Sequence, residues 1–204
     1  MAIIRVSGFV GSGKTTLSKL LAEKLGYGYH YTGQIFRDMA RERGLSIEEF
    51  YEQMQNDPDL EKSVDIKQMQ LMLGNDNIVV QGRMAPFLPP FNHIGERSFI
   101  RGNSINVFID VDIAEGARRQ LSRPENQGRS LEEMVILSRR RIMTEKKRLK
   151  DLYGIENCFD HSKFNVVLNT TKLSIQESLD ILLCAIRLNY IEKKYGAVDS
   201  LKTA

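Results

Sequence analysis

The chain has 204 residues, a length that suits one compact domain. Apolar residues make up 42% and charged residues 27% of it, which excludes a disordered or fibrous protein, and no run of about 18 apolar residues is present to span a membrane. The net charge is only +3, yet residues 118–150 carry eleven Lys and Arg against four Glu (+7) and residues 38–65 carry nine acids against three bases (−6). This uneven charge fits either a small polyanion held at one place or solvated charged helices.

The first residues enter a strand-like run directly and lack the pattern of a signal peptide. The two cysteines, Cys158 and Cys184, are too few and too far apart for a metal site or a disulfide framework. We therefore expect a soluble, cytoplasmic protein.

Short apolar runs alternate with helical patterns, as in the strand-helix-strand units of a parallel sheet. The predicted strands are residues 2–7, 27–31, 78–81, 105–109 and 165–168. Three predicted helices begin with a capping box, namely Ser46 with Glu49, Ser130 with Glu133, and Ser174 with Glu177. In the last helix one apolar stripe is expected to pack on the sheet; it holds Ile175, Leu179, Leu182, Ile186 and Tyr190. The polar, mostly helical residues 33–74 indicate an inserted lobe, and the proline-rich residues 86–102 an irregular loop.

A phosphate-binding loop is predicted where the first strand meets the first helix. Residues 8–15 fit the P-loop pattern Gly-x4-Gly-Lys-Ser/Thr. Backbone amides and the helix dipole would bind phosphate there, with Lys14 on the β- and γ-phosphates and Thr15 as the ligand of Mg²⁺. The alternative is a glycine-rich turn that happens to precede a lysine. The candidate ATP-binding residues are Gly8, Val10, Gly11, Ser12, Gly13, Lys14, Thr15 and Thr16.

A second anion site is predicted from two arginines. Arg37 lies one turn into the helix after the second strand, for which Thr32 is the expected cap, and Arg83 follows the third strand, at the carboxyl edge where ligands bind open α/β sheets. Two guanidinium groups on one phosphate would form charge-assisted bonds. Surface arginines in ordinary ion pairs are the alternative.

Arg141, Glu145 and Arg148 share one face of a predicted helix, because offsets of four and seven residues fall within about 60°. One interpretation is a row of intrahelical ion pairs, although an Arg four residues before a Glu is the weaker order. The other is base recognition, in which Glu145 accepts from the exocyclic amine of cytosine while an arginine donates to the ring nitrogen and the carbonyl.

Taken together, these residues resemble the cytidylate kinase family, and in particular its archaeal-type branch. The similar stretches are residues 7–26, 32–40 with 42–44, 82–85, 141–148 and 152–155. The resemblance implies a three-layer α/β P-loop kinase fold with a five-stranded parallel sheet, an acceptor-binding lobe at residues 33–74 and an arginine-rich lid and base-reading helix at residues 118–150. It also implies transfer of the γ-phosphoryl group of ATP to CMP or dCMP, with Mg²⁺.

The resemblance also implies roles for individual residues. Arg37 and Arg83 would hold the acceptor phosphate, and Gly33 and Gly82 would also belong to the site that binds the nucleoside monophosphate. Arg141, Glu145 and Arg148 would read the base and bridge the phosphates. Charge on the transferring group would come from Lys14 and from lid arginines drawn from Arg118, Arg119, Arg123 and Arg129.

Two features depart from the family pattern. An acid usually precedes the Gly-Arg of the third strand and helps to organise magnesium, but this chain has Gln81. The metal would then be held by Thr15, water and phosphates alone, or by Asp110 or Asp112 as well. In addition, residues 86–91 stand where archaeal-type members tend to have a short turn. This loop could cover the nucleotide, form a dimer contact or be an ordinary surface loop.

The sequence is compatible with three alternative functions. The first is a cytidylate kinase, as monomer or dimer, with no nucleic-acid or membrane partner. The second is a small kinase for AMP, UMP or a non-nucleotide acceptor. The third is a nucleotide-binding regulatory protein without transfer activity, an option that Gln81 favours.

Overall fold

A computed structural model describes residues 2–75, 77–88 and 103–195 of the chain. Its centre is a five-stranded sheet in the order β2-β3-β1-β4-β5, with every pair parallel. The strands are β1 (Ala2–Gly8), β2 (Gly28–Tyr31), β3 (Ile78–Gln81), β4 (Asn103–Asp110) and β5 (Val166–Asn169). All five predicted strands are confirmed to within two residues, and the α/β class with them.

Seven helices connect and cover the strands in the described ranges. They are α1 (Lys14–Leu25), α2 (Thr32–Glu42), α3 (Ile47–Asn56), α4 (Pro58–Gly74), α5 (Ile113–Leu121), α6 (Leu131–Tyr153) and α7 (Ile175–Tyr195). The three predicted capping boxes are confirmed at the starts of α3, α6 and α7. Among the described helices, none combines the length and apolar character that crossing a bilayer requires.

The predicted cap of α2 was wrong. The N-cap residue is Tyr31, without a side-chain cap bond, and Thr32 is the first residue of the helix. The Thr32 hydroxyl instead donates to the main-chain oxygen of Gln81 at 3.2 Å. A bond across to the neighbouring strand has taken the place of the local cap.

Side chains alternate between the two faces of the sheet and fix the three layers. Ile4 and Val6 of β1 pack with α1 and α7, whereas Ile3 packs on the opposite side with Met72 of α4 and Leu149 of α6. Helices therefore cover both faces, as parallel sheets require.

The apolar stripe of α7 is only partly buried. Leu179, Leu182 and Ile186 lie in the core, but Ile175 and Tyr190 at the ends of the stripe are 50% and 36% exposed. A helix of 21 residues is about 30 Å long and a four-residue strand about 13 Å, so the ends of α7 extend past β5.

Helices α2, α3 and α4 form a lobe between β2 and β3 with an apolar cluster of its own. The buried members of that cluster are Ile35, Met39, Ala40, Phe50, Met54, Leu60 and Val64. The lobe covers the residues 33–74 that the sequence set apart. Of the predicted irregular loop, residues 86–88 form a turn in which Leu88 N donates to Met84 O at 2.7 Å, and residues 89–102 lie outside the described ranges.

Candidate active site

The glycine-rich loop between β1 and α1 has the backbone that a P-loop requires. Gly11 and Gly13 adopt φ angles of 78° and 81°, in the left-handed region that glycine enters without strain. Gly13 is the N-cap of α1, so the loop delivers the first amides and the positive end of the helix dipole to one place. These amides form a cradle for phosphate groups.

The loop packs against the connection between β4 and α5 through close backbone contacts. A Cβ on Gly8 would lie 2.1 Å from Ile109 O, and one on Gly11 would lie 2.1 Å from Gly116 O. Gly116 belongs to α5, where a Cβ would lie 2.8 Å from Val10 O. Sequence reasoning missed Gly116, because a glycine inside a helix gives no sign of the loop that packs on it.

Lys14 lies at the first position of α1, and its Nζ donates to Phe9 O at 3.0 Å. Burial, together with the positive charges of Arg83, Arg141 and Arg123, lowers the pKa of Lys14 to about 7. The charge of the P-loop lysine is thus coupled to arginines of the predicted second site and lid. A polyanion between them would relieve this repulsion.

The side chains of Thr15 and Thr16 are exposed at the start of α1. The Thr15 hydroxyl accepts a hydrogen bond from Gln81 Nε2 at 3.0 Å. A hydroxyl beside a phosphate cradle suits Mg²⁺, which binds hard oxygen ligands and keeps several waters and substrate phosphates. The described residues therefore fit a metal held by Thr15 and by the nucleotide.

The two acids considered as further metal ligands have structural roles. Asp110 accepts from Val111 N at 2.7 Å and from Asn169 Nδ2 at 3.3 Å. Asp112 is the N-cap of α5, where it accepts from Ala114 N and Glu115 N. Within the described ranges no three His, Cys, Asp or Glu side chains form a metal-binding group.

Arg83, which was predicted for the second anion site, lies just past the carboxyl end of β3. Arg83 forms an ion pair with Glu145, and both side chains are largely buried, with 18% and 14% exposed. Arg141 Nε lies 3.8 Å from the same carboxylate. Burial lowers the pKa of Arg83 to about 9, helped by the charges of Arg141 and Arg148, so Arg83 stays charged at neutral pH. The structure thus brings Arg83 to the helical face that carries Arg141, Glu145 and Arg148.

Two other arginines predicted for the acceptor site have partners of their own. Arg148 Nη1 is 2.6 Å from Oε1 of Glu61, a buried carboxylate of α4. Arg37 is exposed, donates to the Tyr31 hydroxyl and lies over the Tyr31 ring. Among the described contacts none joins Arg37 to Arg83, and their convergence on one phosphate stays a prediction.

The predicted lid arginines have different environments. Arg118 pairs with Glu115 at 2.5 Å and is 63% exposed, and Arg129 is also exposed. Arg119 donates to Thr170 O at 2.7 Å and to Thr170 Oγ1 at 3.1 Å, which ties α5 to the residue after β5. Arg123 is exposed, and its charge lowers the pKa values of Lys14 and Arg141.

A second bridge between α4 and α6 was not predicted. The hydroxyl of Tyr153 donates to Asp65 Oδ2 at 2.5 Å, beside the Arg148–Glu61 pair. Burial raises the pKa of Asp65 to about 6 and that of Tyr153 above its ordinary value. The acidic and basic segments noted in the sequence therefore meet here.

Comparison with known proteins defines the class first. A family model described as an AAA domain matches residues 4–141, which include the glycine-rich loop and the helical lobe. Two solved shikimate kinases share the fold. That of Bacteroides thetaiotaomicron has 19% sequence identity and a TM-score of 0.56, and the match covers 92% of this chain and 99% of that structure. That of Aquifex aeolicus has 20% sequence identity and a TM-score of 0.54, and the match covers 97% of this chain and 100% of that structure. Fold and loop thus define an α/β protein of the P-loop class.

Curated relatives narrow this class to one family. The cytidylate kinase of Pyrococcus horikoshii is 34% identical over 184 residues, which are 90% of this chain and 88% of the relative. Those of Methanopyrus kandleri and Methanosarcina mazei are 32% and 33% identical, each over 90% of this chain and over 92% and 95% of their own lengths. The chain belongs to the cytidylate kinase family, which confirms the resemblance seen in its sequence.

Proposed function

We propose that this chain is a nucleoside-monophosphate kinase that transfers the γ-phosphoryl group of ATP to CMP or dCMP, giving ADP and CDP or dCDP. The observation that carries the proposal is a second group of cations at the same end of the sheet as the P-loop. Gly82 N donates to Val6 O of β1 at 3.1 Å, and the next residue, Arg83, forms a largely buried ion pair with Glu145. Two neighbouring groups of cations are suited to phosphates from two substrates. A nucleotide-binding protein with one phosphate site has no need of the second set.

The P-loop residues would hold the donor. Backbone amides of residues 8–13 and the dipole of α1 bind the phosphates, and Lys14 leaves its bond to Phe9 O to neutralise charge on the transferring group. Thr15 would hold Mg²⁺, which as a bound cation neutralises negative charge on the phosphates. Because burial lowers the local dielectric constant around Lys14, its positive charge interacts more strongly with the phosphates.

The acceptor would lie over Arg83 and α6. Arg37 and Arg83 bind its phosphate, and Arg148 bridges towards the transferring group. Glu145 accepts from the exocyclic amine of cytosine while Arg141 donates to the base, a pattern that uracil, with a carbonyl in place of the amine, opposes. The Arg83–Glu145 ion pair orients both side chains at the edge of β3.

Transfer needs little covalent assistance from the protein, because the transition state is loose and in line. Catalysis therefore comes from positioning the two substrates and from positive charge near the transferring group, and closure of the lid excludes water as a competing acceptor. Lys14 and lid arginines would supply that charge, and of the four candidate arginines Arg118, Arg123 and Arg129 are exposed. Arg119 would have to give up its bonds to Thr170 for that role.

The test is a panel of acceptors in a coupled assay of ADP release with ATP and Mg²⁺. We expect turnover with CMP and dCMP, and much less with UMP or AMP. Lys14→Ala should lower the rate by about 10²–10³, as removal of a charge-stabilising donor does, whereas Lys24→Ala, an exposed lysine in the last turn of α1, should not. Tight ATP binding without acceptor-stimulated ADP release would instead support a regulatory protein.

Base recognition is tested separately with Glu145→Ala. We expect a smaller ratio of kcat/KM for CMP to kcat/KM for UMP, together with a lower melting temperature, because the largely buried Arg83 loses its partner. An unchanged ratio removes the base-reading role of Glu145 and leaves the phosphoryl transfer itself untouched.

We further infer a cytoplasmic enzyme that acts on small molecules as a monomer or dimer, without nucleic-acid or membrane partners. Both cysteines are free, as is usual in reducing compartments. Light scattering coupled to size-exclusion chromatography gives the oligomeric state directly.

A further inference from the structure

Three side chains from three elements form a continuous hydrogen-bonded chain beside the P-loop. Tyr29 is on β2, Gln81 is the last residue of β3, and Thr15 is on the first turn of α1. The Tyr29 hydroxyl donates to Gln81 Oε1 at 2.5 Å, and Gln81 Nε2 donates to Thr15 Oγ1 at 3.0 Å. Both ends of the glutamine amide are therefore used, and each fixes the orientation of the other.

The main chain of Gln81 is held as well. Its carbonyl accepts from the Thr32 hydroxyl at 3.2 Å, and the same hydroxyl accepts from Gln68 Nε2 at 2.6 Å. Gln81 is 9% exposed and Gln68 is fully buried. A Cβ on the next residue, Gly82, would lie 2.2 Å from the Thr32 hydroxyl, so no side chain could enter. The amide thus projects towards Thr15 from a rigid support.

The chain of bonds carries no formal charge. A carboxylate at the end of β3 would add negative charge next to the hydroxyl of Thr15, and Gln81 does not. The two acids considered above accept backbone hydrogen bonds instead: Asp110 from Val111 N after β4, and Asp112 as the N-cap of α5. Orientation of the hydroxyl is therefore what the protein contributes, and the negative charge that attracts a cation comes with the phosphates.

Resting on the proposed function, we propose that Tyr29 and Gln81 are positioning residues that hold the Thr15 hydroxyl ready to bind the divalent cation of the metal–nucleotide complex. Tyr29 acts only through Gln81. Loss of either residue should weaken binding of the cation while leaving binding of the metal-free nucleotide unchanged. A purely structural role would weaken both.

The probe is Mn²⁺, whose free fraction is read from its electron paramagnetic resonance signal with ADP fully bound to excess protein. We expect Tyr29→Phe and Gln81→Ala to raise the Kd for Mn²⁺ roughly tenfold, the usual scale for removing a hydrogen-bond partner of a metal ligand. Calorimetry in the presence of EDTA should give the parental Kd for ADP. Tyr27→Phe, which removes a hydroxyl from the residue before β2, is the matched control and should change neither Kd.

Gln81→Glu supplies the opposite change. It keeps an acceptor for the Tyr29 hydroxyl and adds charge, so Mn²⁺ should bind more tightly than to the parent chain. If Gln81→Ala does not fold, the Mn²⁺ affinity of Gln81→Glu still tests the proposal. Values for Tyr29→Phe and Gln81→Glu within twofold of the parent would overturn the proposal. Failure of the parent to phosphorylate CMP would overturn the proposed function alone, because the Mn²⁺ measurement uses only ADP.

Discussion

Arg148 and Glu61 form an ion pair at 2.6 Å that joins α6 to α4 of the helical lobe. Glu61 is largely buried, and burial raises its pKa while the charge of Arg148 lowers it. The guanidinium group that the family resemblance assigns to the substrate phosphates is thus already paired with a carboxylate of the protein. A phosphate that binds Arg148 has to compete with Glu61.

Glu61→Gln should strengthen acceptor binding. The amide keeps an oxygen that accepts from Arg148 but removes the negative charge that opposes the incoming phosphate. We expect the KM for CMP to fall roughly threefold, the scale of a partly screened charge interaction, with kcat unchanged. Glu52→Gln, an exposed position on α3, removes the same charge from the same lobe and should leave the KM as it is. A KM for CMP that stays constant or rises in Glu61→Gln contradicts this competition.

Nucleotide binding should be accompanied by proton uptake at Lys14. Its pKa of about 7 means that Lys14 is mostly neutral at pH 8, whereas bound phosphates favour the charged form. Phosphate groups with a pKa near 6 are already ionised at pH 8, so we expect net uptake of up to about one proton per ADP. Calorimetry at pH 8 in two buffers of different ionisation enthalpy measures this number.

Lys14→Met should abolish the proton uptake, and Lys24→Met should retain it. Equal heats of ADP binding to the parent chain in the two buffers, after correction for dilution, would show that Lys14 is charged before the nucleotide arrives.

Local sequence patterns predicted the sheet, the P-loop and the capped helix starts well, because each depends on residues that are neighbours in the chain. The glycine spacing of the P-loop and the Ser-x-x-Glu boxes specify backbone geometry within one turn. The helical face of Arg141, Glu145 and Arg148 follows in the same way from the period of one helix.

Contacts between distant elements were not predictable in this way. Tyr153 and Asp65 are 88 residues apart, and Tyr29 and Gln81 are 52 apart, so no periodicity relates them. Thr32 illustrates the competition: its position favours a helix cap, yet a bond to Gln81 O on the next strand replaced it. Neighbouring residues determine where helices and strands begin and end. The hydrogen-bond partners of buried polar groups depend instead on how the whole fold packs.

Gly116→Ala should weaken nucleotide binding through the P-loop. The added Cβ would lie 2.8 Å from Val10 O, a backbone atom that cannot rotate away, so the loop must shift. Such overpacking typically costs about 1–3 kcal/mol, and we expect roughly tenfold weaker binding of ADP by calorimetry. Gly74→Ala is the control, because a Cβ at this last residue of α4 meets nothing within 4 Å. Parental ADP affinity in Gly116→Ala would show that the loop tolerates the displacement.

Asp65 should make the stability of the protein depend on pH in a direction opposite to that of a salt-bridged acid. Burial raises its pKa from 3.8 to about 6, so the folded state binds more protons than the unfolded state between those values, and the free energy of unfolding falls as the pH rises through them. Asp65→Asn keeps an acceptor for Tyr153 and removes the titration. Relative to the parent, it should gain about 1–3 kcal/mol between pH 4 and pH 7, measured by urea unfolding. Asp59→Asn, at a position whose side chain is 92% exposed, should show a much smaller change. A stability difference between Asp65→Asn and the parent that is the same at both pH values would mean that Asp65 ionises normally in the folded protein.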